Sequence, residues 1–586
     1  MAPTKNTIKI LPENLTNKIA AGEVVDRPAS VVKELVENSI DAGADEISII
    51  IKDGGKALIQ VVDNGCGMHE SDLLLAFQRH ATSKIFNYED LNRIQTMGFR
   101  GEALASIASV SRVEAKSVET NQTFGKIVFI DGGVVEKIDG TGGNSGTSIS
   151  VKHLFYNTPA RRKFLRKSTT EYRQILSVAN RFLLAFPEIA FTIINEGEIV
   201  FDLKKQPQEE RIQSVLGARV RKNLIPIENT GPIRVSGFTG NQDTARSSRG
   251  DQYLFFNRRY FTNKSLNYAV YSAYTDIIPR GYHPVYIAFI EMDPEQADVN
   301  VHPTKMEIKF ANDSLLFSTL RGAVKRALSS QQVVMNLSNP QEFPGPAFTK
   351  PFTHSSVSTH GCQPESQQMS AFGQPTGEEP TAGAYPEPQA VSPVKEIYEP
   401  TNVWQVHNKY ILSQIKTGLI LIDQHVAHER ILYEKALENM DKRKPSSQQL
   451  LFPQIVELSA EDYALLLEML PFMEQIGFVI KAFGKNTVVV EGVPSGVKIS
   501  DDEKILLDIL DEYKRGKKEN FDIRDNVAKS FACHSAIRAG DPLTLEAMNT
   551  LIDQLFSTKA PYFCPHGRPV IINLSLDELD RRFRRH

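Results

Sequence analysis

Residues 19–44 read IAAGEVVDRPASVVKELVENSIDAGA, and the first helix of the chain can be placed on them. Pro28 presets φ for a first helical turn and needs no N–H partner there. Val32, Leu35, Val36 and Ile40 recur at three- and four-residue intervals, which predicts one apolar stripe. Glu34 and Asn38, four apart, share a different face. A carboxylate that takes a proton from water and an amide oxygen that ligates a hard cation need that placement; a solvated polar face would leave the same trace.

Working outward, EISIIIKD (46–53) and ALIQVVDN (57–64) predict two strands joined by a turn at Gly54-Gly55. Asp63-Asn64-Gly65-Cys66-Gly67 follows directly, where glycines let a ligand approach the backbone and Asp63 could accept from an exocyclic amine. Gly98 to Leu104, GFRGEAL, sets glycines before a helix start, so free backbone N–H groups could receive a phosphate. TSISVKHLF (147–155) predicts another strand, followed by the basic helix start ARRKFLRK (160–167). From about Asp202 the pattern changes. IRVSGFTG, QYLFFNRRYF and PVYIAFIEM read as strands, with a helix near Ser265 to Thr275 and another ending near Ser330.

At roughly 150 residues per domain, 586 residues predict about four domains. Residues 340–400 hold 11 of the 31 prolines, with much Ser, Thr, Gln and Gly, too little apolar surface to offset ordering entropy. They read as a flexible linker between two arms. Beyond it, YILSQI and LILIDQ form a hairpin about Thr417-Gly418, followed by a helix from about His425 to Met440. Ser459 with Asp462, and Ser500 with Glu503, mark helix starts. Lys+Arg 67 against Asp+Glu 70 gives −3, so nucleic acid can be held only through local basic surfaces. Four cysteines make no disulfide framework and suit a reducing compartment. The N-terminus lacks a signal-peptide core and no apolar run approaches 18 residues, so the expected setting is a cytoplasm without membrane contact.

Taken in order, the run 19–44, DNGCG, RHATSK (79–84), GFRGEALASI (98–107), GTSISVKHLFYNTPARRKF (146–164) and VNVHPTKMEIKF (299–310) closely resembles the DNA mismatch-repair MutL family. That family belongs to the GHKL ATPases, with gyrase, Hsp90 and histidine kinases. The resemblance implies an α+β multidomain chain. A GHKL (Bergerat) ATPase sandwich would occupy 1–210 and a ribosomal-protein-like α+β transducer domain 211–335. The flexible linker would run over 336–398, and an α/β dimerisation and endonuclease domain over 399–586.

It also implies roles. Glu34 would be the general base, Asn38 the Mg²⁺ ligand and Asp63 the reader of the adenine amine, with Gly67 and Thr147 shaping the adenine pocket. Thr82, Ser83 and Lys84 would join the ATP site. Gly98, Arg100, Gly101, Glu102, Ala103 and Leu104 would form a lid donating to the phosphates, and Lys305 would reach the γ-phosphate from the second domain. ATP would order the lid and bring two N-terminal arms together.

Two basic sets stand out: Arg161, Arg162, Lys163, Arg166 and Lys167, then Arg246, Arg249, Arg258, Arg259 and Lys264. A solvated face accounts for any charge run. In a MutL-like dimer such sets become candidates for double-stranded DNA, through phosphates and with little sequence preference.

In the C-terminal arm His425 and Glu429 are four apart, Asp423 stands just before them, and Cys564-Pro565-His566 adds thiolate and imidazole in a tight loop. These are ordinary transition-metal ligands. Endonuclease-bearing MutL proteins carry D-Q-H-A-x-x-E-x-x-x-x-E, A-C-R, C-P-H-G-R-P and F-x-R. The chain resembles them at Asp423, Gln424, His425, Glu429, Glu434, Ala532-Cys533, Cys564 to Pro569, Phe583 and Arg585. It departs at Val426 (Ala in the pattern) and His534 (Arg). The resemblance implies metal-dependent strand nicking, with Asp423 and Glu429 catalytic and Asp423, His425, Glu429, Cys533, Cys564 and His566 as ligands. Zn²⁺ would be structural or regulatory and Mn²⁺ catalytic. Gln448, Leu450, Leu451 and Pro453 resemble the Q-x-L-L-x-P segment that docks on the replication sliding clamp. A homodimer, a MutS-type mismatch sensor and a bacterial, nucleoid-associated cytoplasmic setting follow from the same resemblance. A nuclease-inactive, ATP-switched matchmaker is the alternative.

Overall fold

The computed structural model describes residues 25–85, 96–98, 101–275, 277–278, 281–298, 308–338, 403–442, 447–495, 502–516 and 523–585. The Pro-rich segment, Arg100 and Lys305 lie outside the described residues.

The quoted stretch does form a helix, Pro28–Asp41, with Val32, Leu35 and Val36 buried. It packs on an eight-stranded sheet of order β5-β4-β3-β6-β2-β1-β7-β8. The strands are β1 (Glu46–Lys52), β2 (Leu58–Asp63), β3 (Arg112–Val118), β4 (Phe124–Asp131), β5 (Val134–Gly142), β6 (Gly146–Lys152), β7 (Ala190–Asn195) and β8 (Glu198–Leu203). Ile47, Ile49 and Ile51 of β1 alternate into the core, as a strand of period two requires. The expected hairpin is present, with β1 antiparallel to β2 around a turn in which Gly54 takes φ 61°. Helix Ser168–Ala185 packs beside the first helix and shares its core. Fully buried Arg211 fastens the end of this layer by donating to the carbonyls of Leu183, Phe186, Pro187, Ile189 and Lys204.

A second sheet of order β12-β11-β13-β10-β9 is built from β9 (Leu224–Asn229), β10 (Arg234–Gly240), β11 (Gln252–Phe256), β12 (Arg259–Phe261) and β13 (Tyr286–Glu291). Helix Lys264–Ala273 lies where expected, its N-terminus capped by Asn263. A short ladder, β14 (Ala297–Asp298) with β15 (Lys309–Phe310), leads into helix Asp313–Ser338.

After residue 402 come two more sheets. β16 (Val403–Val406), β17 (Tyr410–Ile415), β18 (Gly418–Asp423) and β22 (Ile571–Ser575) form one. β19 (Ser447–Glu457), β20 (Val479–Ala482) and β21 (Thr487–Pro494) form the other. Helix Gln424–Lys442 begins directly at the end of β18.

The sequence reading joined the two arms only through the linker, whereas in the structure they touch. Arg246 pairs with Asp251 at 3.1 Å and with Asp462 at 3.0 Å, and Lys514 closes on Asp462. Ser248 donates to Asp511 at 2.9 Å, and Arg173 pairs with Glu468 at 2.7 Å. Burial alone would lower the Arg246 pKa, and the facing carboxylates Asp251, Asp462 and Asp511 more than reverse this. Arg246 is therefore committed to protein carboxylates and leaves the basic surface to which sequence spacing assigned it. No described helix is long and apolar enough to cross a membrane.

Candidate functional site

Glu34 and Asn38 lie, half-buried, on one side of helix Pro28–Asp41. Lys33 holds Glu34 at 2.8 Å and Glu37 at 3.1 Å. Burial would lower the Lys33 pKa, but Glu37 and then Glu34 overcome it and raise it, so the ammonium stays charged. The next residue on the Glu34–Asn38 face is Asp41, which spacing could have revealed and the sequence reading missed. Its carboxylate accepts from the N–H of Met97 (2.7 Å) and of Gly98 (2.9 Å) and pairs with Lys84 at 2.5 Å. Lys84 also donates to Asn38 Oδ1 at 3.0 Å. The Asn38 oxygen thus already faces a cation, which is the environment a metal-ligating amide oxygen needs.

Asp63 ends β2 beside this helix. It accepts from Ser39 Oγ (2.8 Å), Gly65 N (3.0 Å) and Thr147 N (3.2 Å). Thr147 sits opposite it in β6, and its hydroxyl meets Ser117 at 3.0 Å. Gly67 has φ +68°, and a Cβ there would stand 2.0 Å from the Val118 carbonyl oxygen, so only glycine fits. Gly101 has φ +64° with the Ala81 carbonyl 2.5 Å from a would-be Cβ, which packs the GFRGEAL run against RHATSK. Thr82 Oγ1 accepts from Lys84 N at 3.2 Å, and Ser83 precedes that lysine. Glu102 stands at the N-terminal boundary of helix Ala103–Ser109 without a side-chain cap bond, and Leu104 in that helix is half-buried. Ser39 thus ties Asp63 to the helix that carries Asn38, Thr147 meets Asp63, and Lys84 meets Asn38. Burial raises the Asp63 pKa above its ordinary 3.8, and its three hydrogen bonds pull the other way without cancelling this. Protonation would leave Asp63 a weaker, neutral acceptor for the adenine amine that the resemblance assigns to it. ATP affinity is therefore expected to fall as pH is lowered, starting above 3.8. A titration of binding against pH checks this; Asp63→Asn should show no such dependence.

In the C-terminal arm Asp423 caps helix Gln424–Lys442, accepting from the N–H of His425 (3.0 Å) and Val426 (3.1 Å). Buried Gln424 donates to the carbonyls of Asn408, Arg538 and Asp541. One and a half turns into the helix, Glu429 is 2% exposed, and Cys564 in the distant loop is 4% exposed. Glu429 Oε1 and His566 Nδ1 are 2.5 Å apart, and the donor atoms of Glu429, Cys564 and His566 all lie within 4.8 Å of one another. The Glu429 hydrogen bond is the main cause that raises the His566 pKa. A buried carboxylate and thiol facing an imidazole at the surface fit a zinc-type ion. Asp423, His425 and Cys533 are not part of this three-residue group among the described residues. His425 Nδ1 is 2.8 Å from the Ile537 carbonyl, which orients the ring as a metal-bound histidine is normally oriented, with Nε2 left as acceptor.

The two departures have distinct settings. Val426 is buried in the core beneath β18, so its branch meets apolar side chains. His534 lies between Asp508 (3.7 Å) and Glu512 (3.9 Å), a slot suited to a cation.

The motif at Gln448 lies in β19, whose register with β21 breaks between Gln449 and Gln454. Leu450 is buried, while Leu451 is 87% and Phe452 78% exposed. Of the basic residues, Arg162, Lys163, Arg166 and Lys167 are exposed around helix Pro159–Phe164. In the second set Arg259 is buried and Arg258 pairs with Glu188. Their partners are far away in sequence, so spacing could not show that they were taken.

A carboxylate and an amide on one helix face, a buried Asp at a strand end and a glycine run before a short helix define an ATPase of the gyrase and Hsp90 kind. Residues 26–138 match the family described as histidine kinase-, DNA gyrase B- and HSP90-like ATPase. Residues 212–329 match the DNA mismatch repair protein C-terminal domain, and 403–543 the MutL C-terminal dimerisation domain. The DNA mismatch repair protein MutL of Chlorobium phaeovibrioides is 42% identical over 98% of this chain and 99% of its own. That of Chlorobaculum tepidum is 41% identical over 99% and 100%. A solved structure of the Aquifex aeolicus MutL ATPase domain complexed with ADP aligns at 30% identity and a TM-score of 0.36, covering 46% of this chain and 94% of that one. The chain belongs to the MutL family of DNA mismatch repair proteins.

Proposed function

We propose that the chain works as an ATP-switched homodimer that couples mismatch recognition to nicking of one DNA strand. The observation that carries the nicking half is the group of buried Glu429 and Cys564 with exposed His566, assembled from positions 137 residues apart. Its test is metal-dependent nicking of supercoiled plasmid by the intact chain.

In the ATPase part, Glu34 takes a proton from the attacking water while Lys33 fixes its carboxylate. Asn38 presents an oxygen to Mg²⁺, Asp63 accepts from the adenine amine, and Gly67 and Thr147 bound the base. Thr82, Ser83, Lys84, Gly98 and Arg100 to Leu104 handle the phosphates, with Lys305 reaching the γ-phosphate. In the nuclease part, Glu429, Cys564 and His566 would hold Zn²⁺, and Asp423, His425 and Cys533 would provide ligands for Mn²⁺. When bound, such ions supply Lewis-acid stabilisation of the phosphate's charge. The domain limits proposed are 1–210, 211–335, 336–398 and 399–586.

A row of apolar side chains supports the dimer: Trp404, Leu412, Leu421 and Ile572 are cross-strand neighbours on the open face of the β16-β17-β18-β22 sheet. Trp404 is 50% and Ile572 53% exposed, an apolar face that a second copy would cover. The projecting Leu451 and Phe452 support docking of Gln448 to Pro453 on a sliding clamp. The basic surface around Arg162 supports phosphate contacts to double-stranded DNA. A MutS-type sensor is the proposed partner upstream, and a bacterial cytoplasm the proposed setting. The separation of Asp423 and His425 from the three-donor group, with His534 in place of arginine, favours the second reading: a nuclease-inactive matchmaker.

A further inference from the structure

Arg259 opens β12 in the second sheet, yet its hydrogen bonds go to the first part of the chain. Its Nη2 donates to the carbonyl of Thr96 at 2.8 Å and of Met97 at 2.9 Å. The side chain lines a cleft with Lys33, Glu37, Met97, Arg181 and Tyr260, and the residue is 7% exposed. Among the described residues it has no carboxylate partner, and its Nη1 is buried without a hydrogen bond. Arg211, also buried, gives its donors to five carbonyls of its own layer. Arg259 instead directs a charge-assisted donor to two carbonyls immediately before the GFRGEAL run.

The same short segment is gripped from its other side. Asp41 takes the N–H groups of Met97 and Gly98, and Asp41 is tied through Lys84 to Asn38. Thr96 to Gly98 therefore hangs between the helix that carries Glu34 and a strand of the second sheet. Arg259 itself reaches only the two backbone carbonyls and none of the residues assigned to the reacting groups, so it is not a catalytic residue.

We propose that Arg259 is a positioning residue that couples the second sheet to the segment from Thr96 to Gly98 beside the nucleotide site. It holds the carbonyls of Thr96 and Met97 so that the N–H groups of Met97 and Gly98 stay on Asp41, and a nucleotide bound beside that segment thereby tightens β12. The proposal rests on the ATPase reading given above.

The experiment compares the full-length chain with Arg259→Met and Arg259→Lys. Steady-state hydrolysis of ATP is measured, together with amide hydrogen exchange with and without a non-hydrolysable ATP analogue. Arg259→Met is expected to raise the KM for ATP about tenfold with kcat changed less than about threefold, a loss of binding rather than of chemistry. Arg259→Lys, whose single ammonium can serve both carbonyls, should restore most of that loss. In the unsubstituted chain the analogue should slow exchange at Met97 and Gly98 and also along Arg259–Phe261; Arg259→Met should keep the first and lose the second. A native KM in Arg259→Met would overturn the proposal. Should that variant fail to fold, the unsubstituted chain still decides: slowing at Met97 and Gly98 with none in β12 overturns it. No ATP binding at all would overturn the ATPase reading itself, an outcome distinct from the other two.

Discussion

Glu34→Gln is expected to bind ATP almost as the unsubstituted chain does and to hydrolyse it at least about 100-fold more slowly, the range removed with a general base. Gln keeps the shape of the side chain and loses only the ability to accept a proton. The fold around it should persist, because Lys33 retains Glu37 at 3.1 Å when Glu34 is neutral. Leu35 and Val36, which anchor the helix in the core, point elsewhere. The competing role for Glu34 is to neutralise Lys33. That role predicts a loss of stability with little loss of turnover. Single-turnover hydrolysis beside analogue binding separates the two, and undiminished hydrolysis would remove Glu34 from the base role.

The second large effect is expected at Cys564→Ser. A hydroxyl is a far poorer ligand than a thiolate for a borderline-soft ion, so zinc affinity should drop by more than about 100-fold, beyond what losing an outer-shell partner costs. The loop should still close, since Cys564 N donates to the Arg568 carbonyl and Val570 N to that of Tyr562, both backbone bonds of 2.9 Å. Equilibrium dialysis against zinc, with the melting midpoint of the metal-free chain as control, measures this. Unchanged zinc binding would mean that the Cys564 thiolate is not a zinc ligand.

What could be read in the sequence was local. The helix at Pro28, the β1–β2 hairpin and the hairpin at Thr417-Gly418 follow from apolar spacing and turn residues close by in the chain. Glu34, Asn38, Asp63 and Gly67 were legible as a pattern, but their roles came from resemblance to a family. Asp41 was within reach, three residues after Asn38 on the same face, and was passed over because its partners, Met97 and Gly98, lie more than fifty residues on. Arg246 and Arg259 were read as a basic surface. A charge run cannot report that carboxylates 216 residues away or carbonyls 163 residues away will claim it. Glu429 and His566 are similar: each is an ordinary polar residue until the fold closes 137 residues between them. The sequence also gave no sign that helix Ala460–Ile476 would contact helix Ser168–Ala185, because Arg173 and Glu468 each look like a solvated charge on its own helix.

Cutting of DNA by the C-terminal arm is the step on which the proposed function rests. It is tested most directly by incubating supercoiled plasmid with the intact chain and Mn²⁺, beside Asp423→Asn. The account predicts nicked circles with the intact chain and none with the variant, whose amide keeps the helix cap at Val426 and His425 but loses the charge. Absence of nicking by the intact chain, even with sliding clamp present, would contradict it and leave the matchmaker reading. Nicking that survives in Asp423→Asn would place the cutting centre elsewhere.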